Sequence, residues 1–339
     1  MFRYKSIGLM LFAALMLALC SCGQGAGSVQ TVHQSERDNI EEVTLVSIDD
    51  SLPPLHNGTF LWMLGDTMIM QDLHATDWLF HAFDVRQNRH LGYFGKFGAG
   101  PGEVSNFGGQ FFDIRNKKFY GLNGNSRIIV RLDIDSALAD PAYKAVNVID
   151  TKPMHGERYE RLYNFNFIND SLLICSVHVP CNGIEEFHLG HINPKTGEKR
   201  IIDNLGHQSK GNSNVMAVSP ENNLIALFGI AFDRLRLFDL DGNHLKTITG
   251  PDYQAEYNNE TFYYLNSTTG GGKLFGLYLN QIPVEEITHS DIIIFDTEGN
   301  YLKTLRLKGR AFGLAYNEST GRLYVSCDGD PQFGYIQID

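Results

Sequence analysis

The chain has 339 residues, of which 43% are hydrophobic and 20% charged, and this much apolar material excludes an intrinsically disordered chain. The formal net charge of −11 argues against a generic surface for nucleic acids or anionic membranes. The length exceeds a typical single domain of ~100–200 residues, but it suits one all-β unit built from repeats.

Residues 1–21 are predicted to be a lipoprotein signal peptide. A short basic start precedes an apolar run over residues 7–19, which is too short for an ordinary membrane-spanning helix. Ser21 then places a small residue directly before Cys22. This step resembles the bacterial lipobox, whose cysteine becomes the lipidated first residue. An ordinary cleaved signal peptide is the alternative interpretation.

The leader implies an exported protein held at the bacterial cell envelope. It contains Arg3 and Lys5, so its loss changes the net charge from −11 to −13. Acyl chains contribute ~0.8 kcal/mol per buried CH₂, and we expect lipid alone to anchor the protein, most simply at the outer membrane. Which face of that membrane it occupies is left open. Residues 22–40, rich in Gly, Ser, Gln and charge after Cys22, predict a flexible tether.

An internal repeat indicates the fold of residues 41–339. The segment Leu237–Ile248 returns 57 residues later as Ile294–Leu305, with seven of twelve positions identical. Each copy has an alternating apolar strand, an Asp-Gly or Glu-Gly turn and a second strand, which is typical of a β-hairpin. Looser copies begin at Phe83, Arg131 and Ile192.

Six short apolar runs, each introduced by a polar turn, divide the chain into units of roughly 50 residues, the size of a propeller blade. The runs cover residues 66–70, 118–122, 170–175, 223–228, 273–279 and 322–326. The sequence therefore predicts an all-β, six-bladed β-propeller with four-stranded antiparallel blades and no helix after the leader. An N-terminal strand over residues 43–48 is expected to complete the last blade and close the ring, which removes exposed sheet edges.

A family resemblance begins at Phe97–Glu103, which reads Phe-Gly-Ala-Gly-Pro-Gly-Glu. It is similar to the Gly-x-Gly-Pro-Gly-Glu turn of the TolB-like six-bladed propeller lipoproteins of the bacterial envelope and of related NHL-type propellers. The lipobox leader, the Asp-x-x-Gly-Asn hairpins and the length match that family over nearly the whole mature chain. The resemblance implies fold and location more than a reaction, since the family is largely without an assigned activity.

No metal site or cofactor is predicted. The turn Asp239–Asn243 looks like a calcium loop, but position twelve is Gly250 where an EF-hand needs a bidentate Glu. His188 and His191 lie on a predicted strand, where residues three apart point to opposite faces, so they do not converge with His178 on one ion.

Three cysteines follow the anchor. Export permits a disulfide, and Cys175 and Cys181 are the pair that we expect if one forms. Cys327 lies three blades away and is expected to be a buried free thiol.

Candidate ligand-binding residues are the polar side chains of the loops between the second and third strands of the blades, which gather on one face around the channel mouth. They are Asp72, His74, Asp77, Arg127, Glu185, Glu186, Asp233, Arg234, Glu285, Glu286, Asp328 and Asp330. Tyr253 and Tyr257 add aromatic surface in an inserted segment of the fifth unit.

These observations favour a lipid-anchored module that binds a small molecule or an envelope protein through its loop face. No Gly-x-Ser-x-Gly elbow, Walker loop, His-Glu-x-x-His or dinucleotide fingerprint is present. The alternative is a propeller hydrolase or lyase that acts on a carbohydrate or a lactone at the channel mouth, because propeller enzymes use dispersed residues.

Overall fold

The computed structural model describes twelve stretches of the chain, namely residues 29–48, 60–72, 74–104, 107–113, 118–123, 128–150, 161–181, 184–202, 214–256, 261–280, 287–328 and 330–339. Residues Thr31–Asp339 form one unit. Met1–Gln30 form another, of which Val29 and Gln30 are described.

Nearly all regular structure in the described residues is β-strand. The strands are β1 (Gln30–His33), β2 (Ile40–Val43), β3 (Val46–Ser47), β4 (Phe60–Leu64), β5 (Thr67–Gln71), β6 (Trp78–Asp84), β7 (Arg89–Lys96), β8 (Phe107–Asp113), β9 (Lys118–Asn123), β10 (Ile128–Asp133), β11 (Val146–Asp150), β12 (Arg161–Asn169), β13 (Leu172–Cys181), β14 (Ile184–Ile192), β15 (Lys199–Ile201), β16 (Asn214–Ser219), β17 (Leu224–Gly229), β18 (Arg234–Phe238), β19 (His244–Thr249), β20 (Tyr264–Gly270), β21 (Lys273–Tyr278), β22 (His289–Asp296), β23 (Tyr301–Lys308), β24 (Ala311–Asn317), β25 (Arg322–Cys327) and β26 (Phe333–Gln337).

These strands form six sheets, and the predicted six-bladed propeller is confirmed. Strands β4–β7 form blade 1, β8–β11 blade 2, β12–β15 blade 3, β16–β19 blade 4 and β20–β23 blade 5, while β24–β26 with β3 form blade 6. Successive strands within each blade pair antiparallel. The first strand of blade 6 contacts that of blade 1, which closes the ring.

The N-terminal strands run along the outer edges of three blades. Strand β1 lies beside β19 as a fifth strand of blade 4, and β2 pairs parallel with β23 of blade 5. Strand β3 pairs antiparallel with β26 and supplies the fourth strand of blade 6, so the predicted closure by a strand within residues 43–48 is confirmed. We call residues 31–47 the belt.

The predicted tether over residues 22–40 is wrong for residues 31–40, which pack on the blades. The Gln34 amide donates to the Thr249 carbonyl at 2.8 Å, and the Asn39 carbonyl accepts from the Thr304 amide at 2.9 Å. Strands that are added to a sheet edge bind mainly through backbone hydrogen bonds. The low apolar content of residues 31–40 therefore did not indicate that this segment pairs with the blades. Cys22 lies outside the described residues.

The repeated hairpins hold their turns in the same way. Asn243 donates from its backbone and side-chain nitrogens to the two carboxylate oxygens of Asp239, both at 2.8 Å. Asn300 does the same to Asp296, both at 2.7 Å. The Gly at the fourth position has φ of 88° in one turn and 80° in the other, a region that favours glycine. These carboxylates therefore lock the turn, as the hairpin interpretation required.

Six apolar clusters of buried residues fill the gaps between neighbouring blades, one for each gap. Each sheet is thus buried on both faces, and β17 is buried over its whole length. This arrangement explains why the second strands read as continuous apolar runs instead of alternating ones.

Two local features depart from the expected pattern or clarify it. A short helix, α1 (Ile134–Ala139), lies between β10 and β11 and is capped by Asp133, which accepts from the Ser136 amide at 2.9 Å. The prediction of no helix after the leader is wrong here.

In the Gly-Pro-Gly segment, Glu103 accepts from the Gly100 amide at 2.8 Å, so this motif is a self-capped turn. No helix within the described residues is long and apolar enough to cross a membrane.

The predicted pairing of Cys175 with Cys181 is also wrong. Both residues lie on β13, six positions apart, which separates their Cα atoms by roughly 20 Å at ~3.3 Å per residue. A disulfide needs Cα atoms within about 7 Å. Cys175 and Cys327 are free and buried, and burial raises the pKa of the Cys175 thiol to about 12.

Candidate functional site

The upper face consists of the loops that join the second to the third strand of each blade, together with those that join one blade to the next. Backbone hydrogen bonds tie the two sets together, for example from the Gly250 amide to the Asp233 carbonyl at 2.9 Å and from the Phe97 amide to the Asp77 carbonyl at 2.7 Å. The structure places these predicted residues on this face: Asp72, His74, Asp77, Asp233, Arg234, Tyr253, Asp328 and Asp330.

The remaining predicted residues divide into two groups. Arg127, Tyr257, Glu285 and Glu286 lie outside the described residues. Glu185 and Glu186 were expected in a loop, but both belong to strand β14. They pair with Pro180 and Val179 of β13, because the two strands extend further towards the upper face than their apolar runs suggested.

Several acids of the upper face organise their own loops. Asp72 is buried and accepts from the His74 amide at 2.9 Å. Asp328 accepts from the Arg310 amide at 2.9 Å, and its other oxygen is 3.3 Å from Arg310 Nε. Within the described ranges, no group of three or more His, Cys, Asp or Glu side chains is placed to hold a metal ion. The acids named here are thus engaged within their own loops.

Asp233 is the exception, because it lies at the centre of a buried network. Its carboxylate accepts from Arg37 Nη1 at 2.8 Å and from the Tyr264 hydroxyl at 3.3 Å. Its second oxygen accepts from the Asp252 amide at 3.2 Å. The side chains of Arg37 and Asp233 are only 6% and 0% exposed. Arg37 of the belt thus forms a buried ion pair with Asp233 at the upper face, between blades 4 and 5.

Arg37 is held by rings as well as by charge. Its guanidinium lies 5.6 Å from the ring centres of Tyr278 and Phe295, within the range of cation–π attraction. Its Nε and Nη2 atoms are buried without an acceptor in the described part of the chain. The Asp233 carboxylate is therefore the charged partner on which this buried cation depends.

Asp252 extends the network towards solvent. Its Oδ2 accepts from the Tyr278 hydroxyl and from Asn280 Nδ2, both at 2.8 Å. Burial, reinforced by the negative charge of Asp233, raises the pKa of Tyr278, so this hydroxyl stays protonated and acts as a donor. Asp252 itself is exposed, and its position is fixed by two neutral donors.

A second ion pair faces the same space. Arg306 donates through Nε and Nη2 to the two carboxylate oxygens of Asp291, both at 2.8 Å, in the bidentate geometry that carboxylates favour. The pair lies on neighbouring strands, since Asp291 and Arg306 are directly paired between β22 and β23. This hydrogen-bonded carboxylate raises the pKa of Arg306.

These groups surround a cavity of about 270 Å³ between the connection from blade 4 to blade 5, the sheet of blade 5 and the belt. Its polar lining consists of Arg37, Asp252, Asn280, His289, Asp291 and Arg306, with Tyr278 and Thr304, and its apolar lining of Ile40, Pro251, Leu279 and Ile293. We call it the blade 4–5 cavity. It borders loops of the upper face and is built largely on the outer strands of blade 5, away from the inner strands around the central axis.

Two other predicted residues come together beside it. The Arg234 guanidinium lies 5.0 Å above the Phe232 ring, and the Tyr253 ring is 6.2 Å from the same ring. Burial lowers the pKa of Arg234, and Tyr253 opposes this shift. Tyr253 therefore packs against Arg234 and Phe232, whereas the sequence suggested a free aromatic surface.

The histidines of blade 3 have local partners. His191 Nε2 is 2.7 Å from the Leu240 carbonyl oxygen, and His188 Nε2 is 3.5 Å from Glu186 Oε2. His178 and His188 line a cavity of only about 10 Å³, which has room for about one water.

Sequence reasoning missed most of the blade 4–5 cavity. Asp233 was predicted as a candidate because it lies in a loop of the upper face. Arg37 was assigned to the flexible tether. Asp291 and Arg306 belong to strands that were interpreted only as parts of a structural hairpin. Their sequence signal was weak, since Asp291 directly precedes the apolar run of β22 and Arg306 occupies an ordinary polar position in the alternating strand β23.

Comparisons with known proteins show no match to a family model and none to a curated protein. Solved structures do match. A member of the DUF4221 family from Bacteroides vulgatus has a TM-score of 0.58 and 11% identity over 86% of this chain and 92% of that chain.

A calcium-binding protein, regucalcin, from Agrobacterium tumefaciens has a TM-score of 0.52 and 11% identity, covering 88% of this chain and 94% of its own. A gluconolactonase from Xanthomonas campestris has a TM-score of 0.50 and 12% identity, with coverages of 83% and 85%. At these identities the likeness concerns the fold alone, and it agrees with the six blades described above.

Proposed function

We propose that the protein is a lipid-anchored propeller of the bacterial envelope that binds a small polar ligand in the blade 4–5 cavity. The observation that carries the proposal is this cavity of about 270 Å³ with convergent polar groups. Concave sites with a few fixed polar groups on a rigid scaffold are where small ligands bind. The belt completes the site, because Arg37 and Ile40 form part of its lining.

Binding is favoured over catalysis by how the charged groups are engaged. Both oxygens of Asp291 are held by Arg306, and Asp252 Oδ2 already accepts two hydrogen bonds. A hydrolase or lyase needs a carboxylate beside a histidine or second carboxylate in a site that admits substrate. The blade 4–5 cavity contains His289 with Asp252 and Asp291, but both carboxylates are engaged as just described. His188, beside Glu186, lines a cavity of only about 10 Å³.

The ligand-binding part of the proposal is tested by thermal unfolding of the full chain in detergent against a panel of small polar molecules. A ligand at a hundred times its Kd adds ~2.7 kcal/mol. For roughly 300 residues the unfolding entropy is about 0.6 kcal/mol/K, so the midpoint should rise by ~4 °C. The proposal is rejected if no compound shifts the midpoint, or if turnover accompanies binding.

The location is proposed from the leader and from the resemblance to TolB-like lipoproteins. We expect the full chain, expressed in a bacterial host with an alkyne-tagged fatty acid, to become labelled and to fractionate with membranes. Cys22→Ser should abolish the label, while Cys20→Ser, the matched control two residues earlier, should keep it. A label that persists in Cys22→Ser contradicts the predicted anchor.

A further inference from the structure

We propose that the blade 4–5 cavity takes a neutral, polyhydroxylated ligand of about monosaccharide size. This inference rests on the proposed binding function and adds the chemical class of the ligand.

The volume sets the size of the ligand. Pockets for drug-sized molecules measure about 300–1,000 Å³, and this cavity is just below that range at about 270 Å³. Its apolar residues, including Pro251, Leu279 and Ile293, provide a limited wall against which CH groups can pack. A compact molecule with polar groups on several sides fits better than an extended apolar one.

Both guanidinium groups that face the cavity are paired with carboxylates, and the charge that remains is negative. Asp291 neutralises Arg306 at 2.8 Å, and Asp233 neutralises Arg37 at 2.8 Å. Glu42, on the belt strand opposite Arg306, is a further carboxylate at the edge of this group. The groups that donate hydrogen bonds to the Asp252 carboxylate are neutral, so they do not compensate its negative charge. An anionic ligand would therefore meet unpaired negative charge, and no unpaired guanidinium is present among these groups to compensate it.

The cavity lining has both hydrogen-bond donors and hydrogen-bond acceptors available for a ligand. In the part of the chain that the structure describes, Asp252 Oδ1 and Asn280 Oδ1 are acceptors without a donor, since the hydrogen bonds of these residues use other atoms. Arg306 Nη1 is a donor beyond the pair that Asp291 engages. His289 has its Nδ1 beside the Thr288 hydroxyl at 3.2 Å, which leaves Nε2 for a ligand.

A hydroxyl group matches this lining because it donates one hydrogen bond and accepts two. A ligand that carries several hydroxyls can accept from Arg306 and donate to Asp252 and Asn280 at once. A carboxylate only accepts and an ammonium group only donates, so each would leave one half of the lining unsatisfied. Unsatisfied polar groups in a binding site cost affinity.

The experiment compares sugars that differ only in charge. Full chain in detergent is titrated by calorimetry with neutral hexoses (glucose, galactose and mannose), with the corresponding uronates and with the 2-amino sugars. The variant Asp252→Asn removes the negative charge of this side chain and replaces one of its two acceptor oxygens by an NH₂ group, which only donates. Asp170→Asn, an equivalent change in the exposed turn between β12 and β13 of blade 3, is the matched control.

We expect at least one neutral hexose to bind, Asp252→Asn to weaken its binding tenfold or more, and Asp170→Asn to leave its affinity within twofold. Binding of only a uronate or an amino sugar that depends on Asp252 would overturn the ligand class while leaving the proposed binding function intact. Hexose binding that is unaffected by Asp252→Asn would overturn the assignment to this cavity. The absence of any binding would overturn the ligand class, and with the wider thermal panel also silent it would overturn the proposed function.

Discussion

Replacing Arg37 by methionine removes the cation that links the belt to the upper face, and it should cost more stability than any surface ion pair. The Arg37 side chain is 6% exposed and its partner Asp233 is fully buried. The substitution therefore leaves a buried carboxylate with the Tyr264 hydroxyl and the Asp252 amide as its remaining donors. Removing one member of a buried pair costs about 3–5 kcal/mol.

That free energy predicts a shift in the thermal midpoint. Roughly 300 residues have an unfolding entropy of about 0.6 kcal/mol/K, so Arg37→Met should lower the midpoint by ~5–8 °C. Asp233→Asn should cost a similar amount, because Arg37 Nε and Nη2 already lack acceptors in the described part of the chain. The double variant should be more stable than the sum of the two by at least ~2 kcal/mol, because neither charge is then left alone.

Calorimetric scans of the four forms measure this coupling, and hydrogen exchange locates it. In Arg37→Met the belt amides of residues 31–47 should exchange faster than in the parent, while the inner strands keep their protection. The matched control is Arg86→Met, whose pair with Asp66 is 60% and 38% exposed and which should cost less than about 1 kcal/mol. Additive costs in the double variant, or an Arg37→Met no worse than Arg86→Met, would refute this reasoning.

Three further predictions concern the blades. Asn243→Ala and Asn300→Ala each remove the side-chain hydrogen bond to the turn carboxylate but keep the backbone one and should each cost about 1 kcal/mol in thermal unfolding, whereas Thr297→Ala in the second turn should be nearly neutral. His81, packed with His90 and Tyr93 and near Asp72, has its pKa lowered by burial from 6.5 to about 4. The unfolded chain therefore binds the extra proton in this window, so stability should fall as pH drops from 6.5 to 4, by up to about 1.4 kcal/mol per pH unit. His81→Gln should flatten that part of the pH profile, and an unchanged slope would contradict the assignment. Cys175, buried and with a thiol pKa near 12, should resist iodoacetamide in the folded chain and react in urea, as followed by peptide mass spectrometry; rapid labelling of the native protein would show that the site opens.

Local patterns predicted the blades because each blade is made from neighbouring strands. The Asp-x-x-Gly-Asn turns lock themselves within five residues, and the apolar second strands are buried on both faces whatever their neighbours are. The same short-range logic failed for the cysteines, where closeness along the chain was taken for closeness in space although an extended strand separates the two residues.

The six units, their four-strand pattern and the position of the closing strand could all be predicted, because they depend on periodicity and turn chemistry within about 50 residues. The path of the belt and the meeting of distant charged groups depend on the closed ring and could not be predicted in this way. Arg37 and Asp233 are 196 residues apart, and the belt is held largely by backbone hydrogen bonds, which carry little side-chain signature. A cavity built from a belt, a connection between blades and the outer strands of one blade exists only once the ring has closed.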